Sequence, residues 1–191
     1  MNFFFGFFPD QNTNFKIRKV VGEVGTVFND FDIPVRWSKP DTYHMTLLFL
    51  GERFNFINNI LFRFKLRDIK FKPFKIVFNT VKLGISRKYK ELVYLDVKEG
   101  GENLRELYLE LRKRLNINDE GNFVPHLTLG RISKDLSTQE YSNICKDLSV
   151  VTKGLNIKDI EFYVDNLYLI KSSDGNYKVL MNLLDLSKRI L

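Results

Sequence analysis

The two histidines of this chain occur in the same short pattern, in which a threonine follows two residues later. His44 is followed by Thr46, and His126 is followed by Thr128. With 8 threonines among 191 residues, the chance of meeting both pairs at random is on the order of 0.002. A shared chemical role explains the repeated pattern better than coincidence does.

Each histidine would lie beside its threonine on one face of a β-strand, because alternate side chains of a strand point the same way. The neighbouring residues Met45, Leu47, Leu127 and Leu129 are apolar and would face a core. Near neutral pH one imidazole can accept a proton while the other donates one, and hydroxyls can hydrogen-bond phosphate oxygens. The pattern therefore predicts a metal-independent phosphodiesterase that uses general acid–base catalysis.

Two other interpretations of the histidines stay open. A histidine on an apolar strand is commonly a structural residue, although two matched patterns weigh against that explanation. A metal site is the other interpretation, but one cysteine, Cys145, and no carboxylate cluster near the histidines make a poor ligand set. We therefore expect no metal and no cofactor. The single cysteine also excludes an internal disulfide and fits a reducing cytoplasm.

Composition indicates one globular unit that favours a polyanionic partner. Hydrophobic residues make up 44% of the 191 residues, and we find no boundary that would divide residues 1–191 into independent domains. The formal net charge of +7 favours nucleic acid as a partner, but a solvated lysine-rich surface explains it equally well. The opening residues Met1–Asp10 lack the basic start of a signal peptide and are too short to span a membrane.

Helices and strands alternate along the chain. The spacing of apolar residues predicts helices near residues 17–28, 56–64, 104–115 and 141–148. Extended segments are predicted at the opening residues and at 35–37, 43–51, 71–83, 92–97, 126–132, 160–171 and 177–186. The last two would form a hairpin through Ser172–Gly175. Several strands follow one another through short turns, so the expected class is α+β with antiparallel pairing.

The segments around the two histidines resemble the two-histidine (2H) phosphoesterases, and within them the RNA 2′,3′-cyclic phosphodiesterases, also called 2′-5′ RNA ligases. The resemblance rests on Arg36-Trp37, on Tyr43–Glu52 and on Phe123–Arg131. It implies a bilobal fold with two antiparallel sheets related by a pseudo-twofold axis around a central cleft, and with helices on the outside.

The same resemblance implies a reaction. Members of the family open a 2′,3′-cyclic phosphate to a 2′-phosphomonoester, and some join or cleave 2′-5′ linkages in vitro. Carried onto this chain, His126 would activate water and His44 would protonate the leaving ribose oxygen. Thr46 and Thr128 would bind the phosphate.

Arg131 matches a family arginine that contacts phosphate, a role that suits the guanidinium fork. It lies five residues after His126, so strict alternation would place it on the opposite face of the strand. We therefore expect a bend, a bulge at Gly130 or the end of the strand there. A surface arginine is the alternative interpretation.

Three weaker expectations concern aromatic and basic residues. Tyr94 matches a family position at which an aromatic ring stacks on a base, although plain packing explains a strand tyrosine more often. The basic loop with Arg87, Lys88 and Lys90 could hold the RNA backbone, or be merely solvated. The opening Phe3–Pro9 is more aromatic than the usual start of the family, and we expect it not to touch the catalytic pairs.

The expected partners are RNA or nucleotides with 2′,3′-cyclic phosphate or 2′-5′ linkages. We expect a cytoplasmic monomer with no membrane partner. Two alternatives stay open for the function. One is a phosphodiesterase that trims 2′-5′-oligoadenylate or RNA tails, and the other is a non-catalytic module that binds RNA or nucleotides.

Overall fold

The computed structural model describes residues 1–52, 56–86, 89–117, 123–173 and 175–183. For residues 56–60 it describes the backbone but not the side chains. Within these residues, strands numbered β1 to β9 in chain order form two antiparallel sheets. The first sheet has the order β3 (Met45–Gly51), β1 (Asn2–Phe7), β8 (Tyr168–Ser173), β9 (Asn176–Asn182). The second has the order β2 (Val35–Trp37), β6 (His126–Ile132), β5 (Leu92–Glu99), β4 (Phe74–Leu83), β7 (Glu161–Val164). The predicted α+β class with two antiparallel sheets is confirmed.

Four helices accompany the sheets in the described part of the chain: α1 (Gln11–Asp30), α2 (Phe56–Leu66), α3 (Gly101–Leu115) and α4 (Thr138–Gly154). Helix α1 begins after Asp10, whose carboxylate accepts a hydrogen bond from the Thr13 amide at 2.8 Å, which satisfies an otherwise unpaired donor. None of the described helices is both long enough and apolar enough to cross a bilayer.

One contiguous core draws apolar residues from both sheets and from the helices. Ile17, Val24 and Phe28 of α1 are buried in it, as the predicted helical stripe requires. From the sheets, Leu47 and Leu129 are almost completely buried in the same core. The opposite faces of the strands that carry them are left to line a cleft between the sheets.

The C-terminal third differs from the prediction in one respect. A single strand over residues 160–171 was predicted, but this is wrong, because β7 joins the second sheet and β8 joins the first. The chain crosses between them at residues 165–167, where the Asn166 amide donates to Asp165 and accepts from Asn182. The predicted hairpin is confirmed by the pairing of β8 with β9, while Asp174 and the predicted strand end beyond residue 183 lie outside the described residues.

Close approach of β1 to β3 depends on Gly6, because a Cβ there would collide with the carbonyl oxygen of Met45. That oxygen belongs to the backbone and cannot easily move aside. We predict that Gly6→Ala lowers the free energy of unfolding by about 1–3 kcal/mol, as measured by urea denaturation.

The matched control for this substitution is Gly22→Ala on α1. A Cβ at Gly22 would meet no atom within 4 Å, so alanine should raise the free energy of unfolding by up to about 1 kcal/mol through its helix propensity. Equal stability of Gly6→Ala and the wild type would contradict the assigned close approach.

Candidate active site

Both histidines and both threonines of the repeated pattern line one cleft of about 820 Å³ between the two sheets. His44 lies immediately before β3, and His126 is the first residue of β6. Thr46 and Thr128 are half-buried on the cleft face, while the residues between are buried in the core. The structure thus brings together four residues from distant parts of the chain.

The two imidazoles are anchored in the same way. The Nδ1 atom of His44 lies 2.8 Å from the Thr42 carbonyl oxygen, and Nδ1 of His126 lies 2.8 Å from the Val124 carbonyl oxygen. A carbonyl oxygen can only accept, so each Nδ1 carries the hydrogen and donates it. In both rings Nε2 is therefore the nitrogen that can take up or release a proton.

Burial lowers the pKa of both histidines below the ordinary value. The hydrogen bonds to the carbonyl oxygens of Thr42 and Val124 oppose this shift, because they favour the charged rings. Charge repulsion lowers both pKa values further: His126 repels a proton on His44, and Arg131 repels a proton on His126. The repulsion between the rings favours a state in which one is protonated and the other neutral, as acid–base catalysis requires.

The surroundings of the two rings differ. The His44 ring lies against two aromatic rings, with centroid distances of 4.9 Å to Phe4 and 4.7 Å to Tyr177. The His126 ring meets Tyr94 edge to face at 5.7 Å. His44 thus has π-electron faces beside it, which attract a cation, whereas the Arg131 guanidinium repels a positive charge on His126.

A β-bulge explains how Arg131 reaches the cleft. Val93 of β5 pairs with Gly130, but the next residue, Tyr94, pairs with Thr128, so Leu129 is an extra residue in β6. Leu129 and Gly130 are consequently buried in succession, and Arg131 returns to the cleft face. The break in alternation expected near Gly130 is present.

The other histidine strand contains a bulge at the equivalent position. Phe5 of β1 pairs with Leu48 and Gly6 pairs with Thr46, so Leu47 is the extra residue of β3. The side chain five residues after His44 therefore also returns to the cleft, and it is Phe49, which is 57% exposed. The two halves of the site thus match in their histidine and threonine, but carry a phenylalanine and an arginine at the fifth position.

Arg131 is held by an ion pair with Glu91, with 2.6 Å between Nη1 and Oε1. Both side chains are partly exposed, so the pair contributes little to stability. It does fix one edge of the guanidinium beside the cleft. The remaining N–H groups are suited to a phosphate oxygen.

Comparison with known proteins decides the family. Residues 36–176 match the family model described as the 2′-5′ RNA ligase superfamily. The chain belongs to this superfamily. A relative from Archaeoglobus fulgidus named RNA 2′,3′-cyclic phosphodiesterase is 30% identical over 155 residues, which cover 78% of this chain and 82% of the relative. A relative of the same name from Aquifex aeolicus is 30% identical over 141 residues, with 68% and 69% covered.

Solved structures agree with the fold of a 2′-5′ RNA ligase superfamily member. E. coli LigT in its apo form superimposes with a TM-score of 0.68 at 19% identity, covering 95% of both chains. LigT complexed with 3′-AMP gives a TM-score of 0.66 at 19% identity and the same coverage. The bilobal architecture implied by the sequence resemblance is confirmed.

Three aromatic residues of this superfamily member differ from the expectations. Tyr94 is only 5% exposed and does not line the cleft, so it offers no free face to a base. The opening strand was expected not to touch the catalytic pairs, which is wrong, because Phe4 packs on His44. Tyr177 was missed, since nothing in its sequence context indicates that β9 returns to the first histidine.

Phe49 was missed as well, although the sequence holds a signal for it. It stands at the same distance from its histidine as Arg131 does from the other, and the motif repeat could have indicated a shared face. Lys90 lies beside a neighbouring cavity of about 630 Å³ that contains neither histidine. Arg87 and Lys88 lie outside the described residues. No group of three His, Cys, Asp or Glu that could hold a metal ion occurs in the described ranges.

Proposed function

We propose that this protein hydrolyses 2′,3′-cyclic phosphate ends of RNA to 2′-phosphomonoesters. The observation that carries the proposal is the convergence of two imidazoles on one cleft, each with Nδ1 anchored and Nε2 left for proton transfer. The relatives named RNA 2′,3′-cyclic phosphodiesterase support this choice of substrate. Both histidines come from one chain, so the site needs no second copy.

The surroundings of the rings support a division of roles. Burial, and with it the Arg131 guanidinium, lowers the pKa of His126, and in this proposal the neutral His126 takes a proton from water while the water oxygen bonds to phosphorus. The bond from phosphorus to the ribose O3′ then breaks, and a protonated His44 supplies the proton to that oxygen. The aromatic faces of Phe4 and Tyr177 favour the imidazolium form that His44 needs.

The remaining polar groups of the cleft suit the charge of the phosphate. Thr46 and Thr128 present hydroxyls on the face that holds the imidazoles. Arg131 adds a cation on the His126 side. Donors fixed around the non-bridging oxygens stabilise the negative charge that develops as water attacks. In this proposal no metal or cofactor takes part.

Phe49 is the best-placed ring for the nucleobase. The leaving O3′ belongs to the nucleoside, so the nucleoside lies on the side of the general acid His44, and the exposed Phe49 belongs to β3, which begins directly after His44. We predict that Phe49→Ala raises KM for a 2′,3′-cyclic nucleotide by about 5- to 100-fold, the value of one base–aromatic stack, with kcat changed much less.

The matched control for Phe49 is Phe15→Ala, which removes a ring of similar exposure (56%) on α1 that does not line the cleft. Steady-state kinetics of both variants test the assignment. An unchanged KM in Phe49→Ala would contradict it.

The proposed function is tested by incubating the purified full chain with 2′,3′-cyclic AMP and with a cyclic-phosphate-ended oligonucleotide in excess EDTA. We expect 2′-phosphate products by chromatography. Burial lowers the pKa of both histidines, so both limbs of the bell-shaped kcat/KM profile should shift down, and its centre should lie below about pH 6.5. No turnover with or without divalent metal would overturn the proposal.

A substrate panel separates the proposal from its alternatives. Faster turnover of 2′-5′-linked oligoadenylate or of an RNA tail would assign the site to those substrates. Binding without turnover across the panel would favour a non-catalytic module. Ligation is the reverse of 2′-5′ linkage cleavage, and it is assayed by joining an RNA with a 2′,3′-cyclic phosphate end to an RNA with a 5′-hydroxyl end.

A further inference from the structure

Two aromatic rings, one from β1 and one from β9, lie against the His44 ring. Phe4 of β1 lies 4.9 Å from the His44 ring at an interplanar angle of 33°, and Tyr177 of β9 lies 4.7 Å away at 53°. The Phe4 and Tyr177 rings also touch each other edge to face, with centroids 5.9 Å apart. The imidazole therefore lies in a corner formed by two aromatic rings.

The ring of Tyr177 is itself fixed in place. Tyr177 is the cross-strand partner of Ser172 in the β8–β9 hairpin, and its ring also packs against the ring of Phe8, with the centroids 6.5 Å apart. Burial raises the pKa of the Tyr177 hydroxyl, so it is neutral at working pH. Phe4, on the other side of the corner, is almost completely buried.

The single hydrogen bond from Nδ1 to the Thr42 carbonyl oxygen does not by itself fix the plane of the imidazole. A ring held at one atom can pivot about the Cβ–Cγ bond, because that torsion is broad in histidine. Further contacts with the sides of the ring restrict this freedom. Tyr177 provides such a contact from the hairpin, with its ring tilted by 53° to the imidazole.

We propose that Tyr177 is a positioning residue for His44, which holds the imidazole in the corner with Phe4 and so keeps Nε2 directed at the reacting phosphate. The proposal rests on the proposed function for its kinetic consequence, but not for its structural one. A displacement of about 1 Å in a reacting group can cost about 10²-fold in rate. A ring that does not touch the substrate can therefore still affect kcat.

The charged groups around His44 stay constant when the Tyr177 ring is removed. His126 of β6 faces His44 across the cleft. Arg131 of β6, Arg36 of β2 and Lys39 also line the cleft. Phe4 carries no charge, and the Tyr177 hydroxyl is neutral, so replacing Tyr177 by leucine or phenylalanine changes no charge in the site.

The test compares Tyr177→Leu, which removes the ring, with Tyr177→Phe, which keeps it. The chain has only two histidines, so an NMR titration shows two imidazoles, assigned with His126→Asn. We expect Tyr177→Leu to lower the pKa of His44 by about half a unit, through loss of the π face beside the imidazolium. The pKa of His126 should change little.

The kinetic arm uses the same variants on a 2′,3′-cyclic nucleotide. Tyr177→Leu should lower kcat by about 10- to 100-fold with KM changed less than about threefold, and its alkaline limb should shift to lower pH. Tyr177→Phe should retain at least about half of kcat. Tyr163→Leu is the matched control, because Tyr163 is 66% exposed on β7 and does not line the cleft.

Two results would overturn the proposal. One is a Tyr177→Leu protein in which the His44 titration and kcat both match the wild type. The other is a raised KM with an unchanged His44 titration, which would make Tyr177 a substrate contact. If Tyr177→Leu does not fold, Tyr177→Val, better suited to a strand, replaces it. The titration needs no substrate, so an unchanged His44 pKa in Tyr177→Leu would overturn the structural part of the proposal even if the chain lacks phosphodiesterase activity.

Discussion

Replacing either cleft histidine with asparagine is expected to lower kcat/KM for a 2′,3′-cyclic nucleotide by about 10²–10⁴-fold, the usual contribution of general acid–base catalysis. Asparagine keeps an amide that can donate to the carbonyl oxygen of Thr42 or Val124, as the imidazole Nδ1 does. It cannot exchange a proton near neutral pH. The loss therefore measures proton transfer and not the anchoring contact.

The two single variants also test whether the histidines act as a pair. A double variant, His44→Asn with His126→Asn, should be little worse than the poorer single variant, because groups that act on one transition state are strongly non-additive. Circular dichroism and thermal melting would establish that each variant is folded. More than about a tenth of wild-type kcat/KM in either single variant would rule out its assigned role.

Removal of a threonine hydroxyl is expected to have the second largest effect. Thr46→Val and Thr128→Val should each lower kcat by about 10²–10³-fold, the usual cost of one lost transition-state donor. Valine has nearly the shape of threonine. Both side chains are half-buried on the cleft face and not in the core, so neither substitution should alter the fold.

Serine provides the control at both positions. Thr46→Ser and Thr128→Ser keep the hydroxyl and lose only a methyl group, so kcat should remain within about tenfold of wild type. The measurement is single-turnover hydrolysis, which separates the chemical step from product release. If valine and serine variants prove equally active, the hydroxyls do not bind the phosphate in the transition state.

Much of the site could be predicted because its main signal is local. The His–Thr spacing follows strand periodicity, and the same period places Leu47 and Leu129 in the core. The stripe of α1 follows helical periodicity in the same way. Where one short-range period dictates which face a residue occupies, the sequence alone is sufficient.

Long-range pairing limited the rest of the prediction. Tyr177 lies 133 residues after His44 (177 − 44), and β9 and β3 form opposite edges of the first sheet, so no local pattern indicates that their rings meet. The largely apolar segment from β7 to β8 is likewise divided, because β7 joins the second sheet and β8 joins the first. No local pattern records which sheet a strand joins.

The bulges show a third kind of limit. Strict alternation places Arg131 on the wrong face, and an extra residue at Leu129 corrects it. The equivalent bulge at Leu47 gives Phe49 its place in the cleft. A bulge depends on the register with the partner strand, which a single sequence does not show. The expected position of Arg131 indicated that β6 needed a bulge, but nothing comparable indicated the bulge in β3.

The central claim is that the two imidazoles flank one phosphorus atom. A crystal structure of the full chain with bound 2′-AMP, the product expected from 2′,3′-cyclic AMP, tests it most directly. We predict a phosphate between the two rings, with an oxygen within about 3.2 Å of Nε2 of each histidine and the threonine hydroxyls on its other oxygens. A phosphate that contacts only one ring, or binds outside the cleft, would contradict the claim.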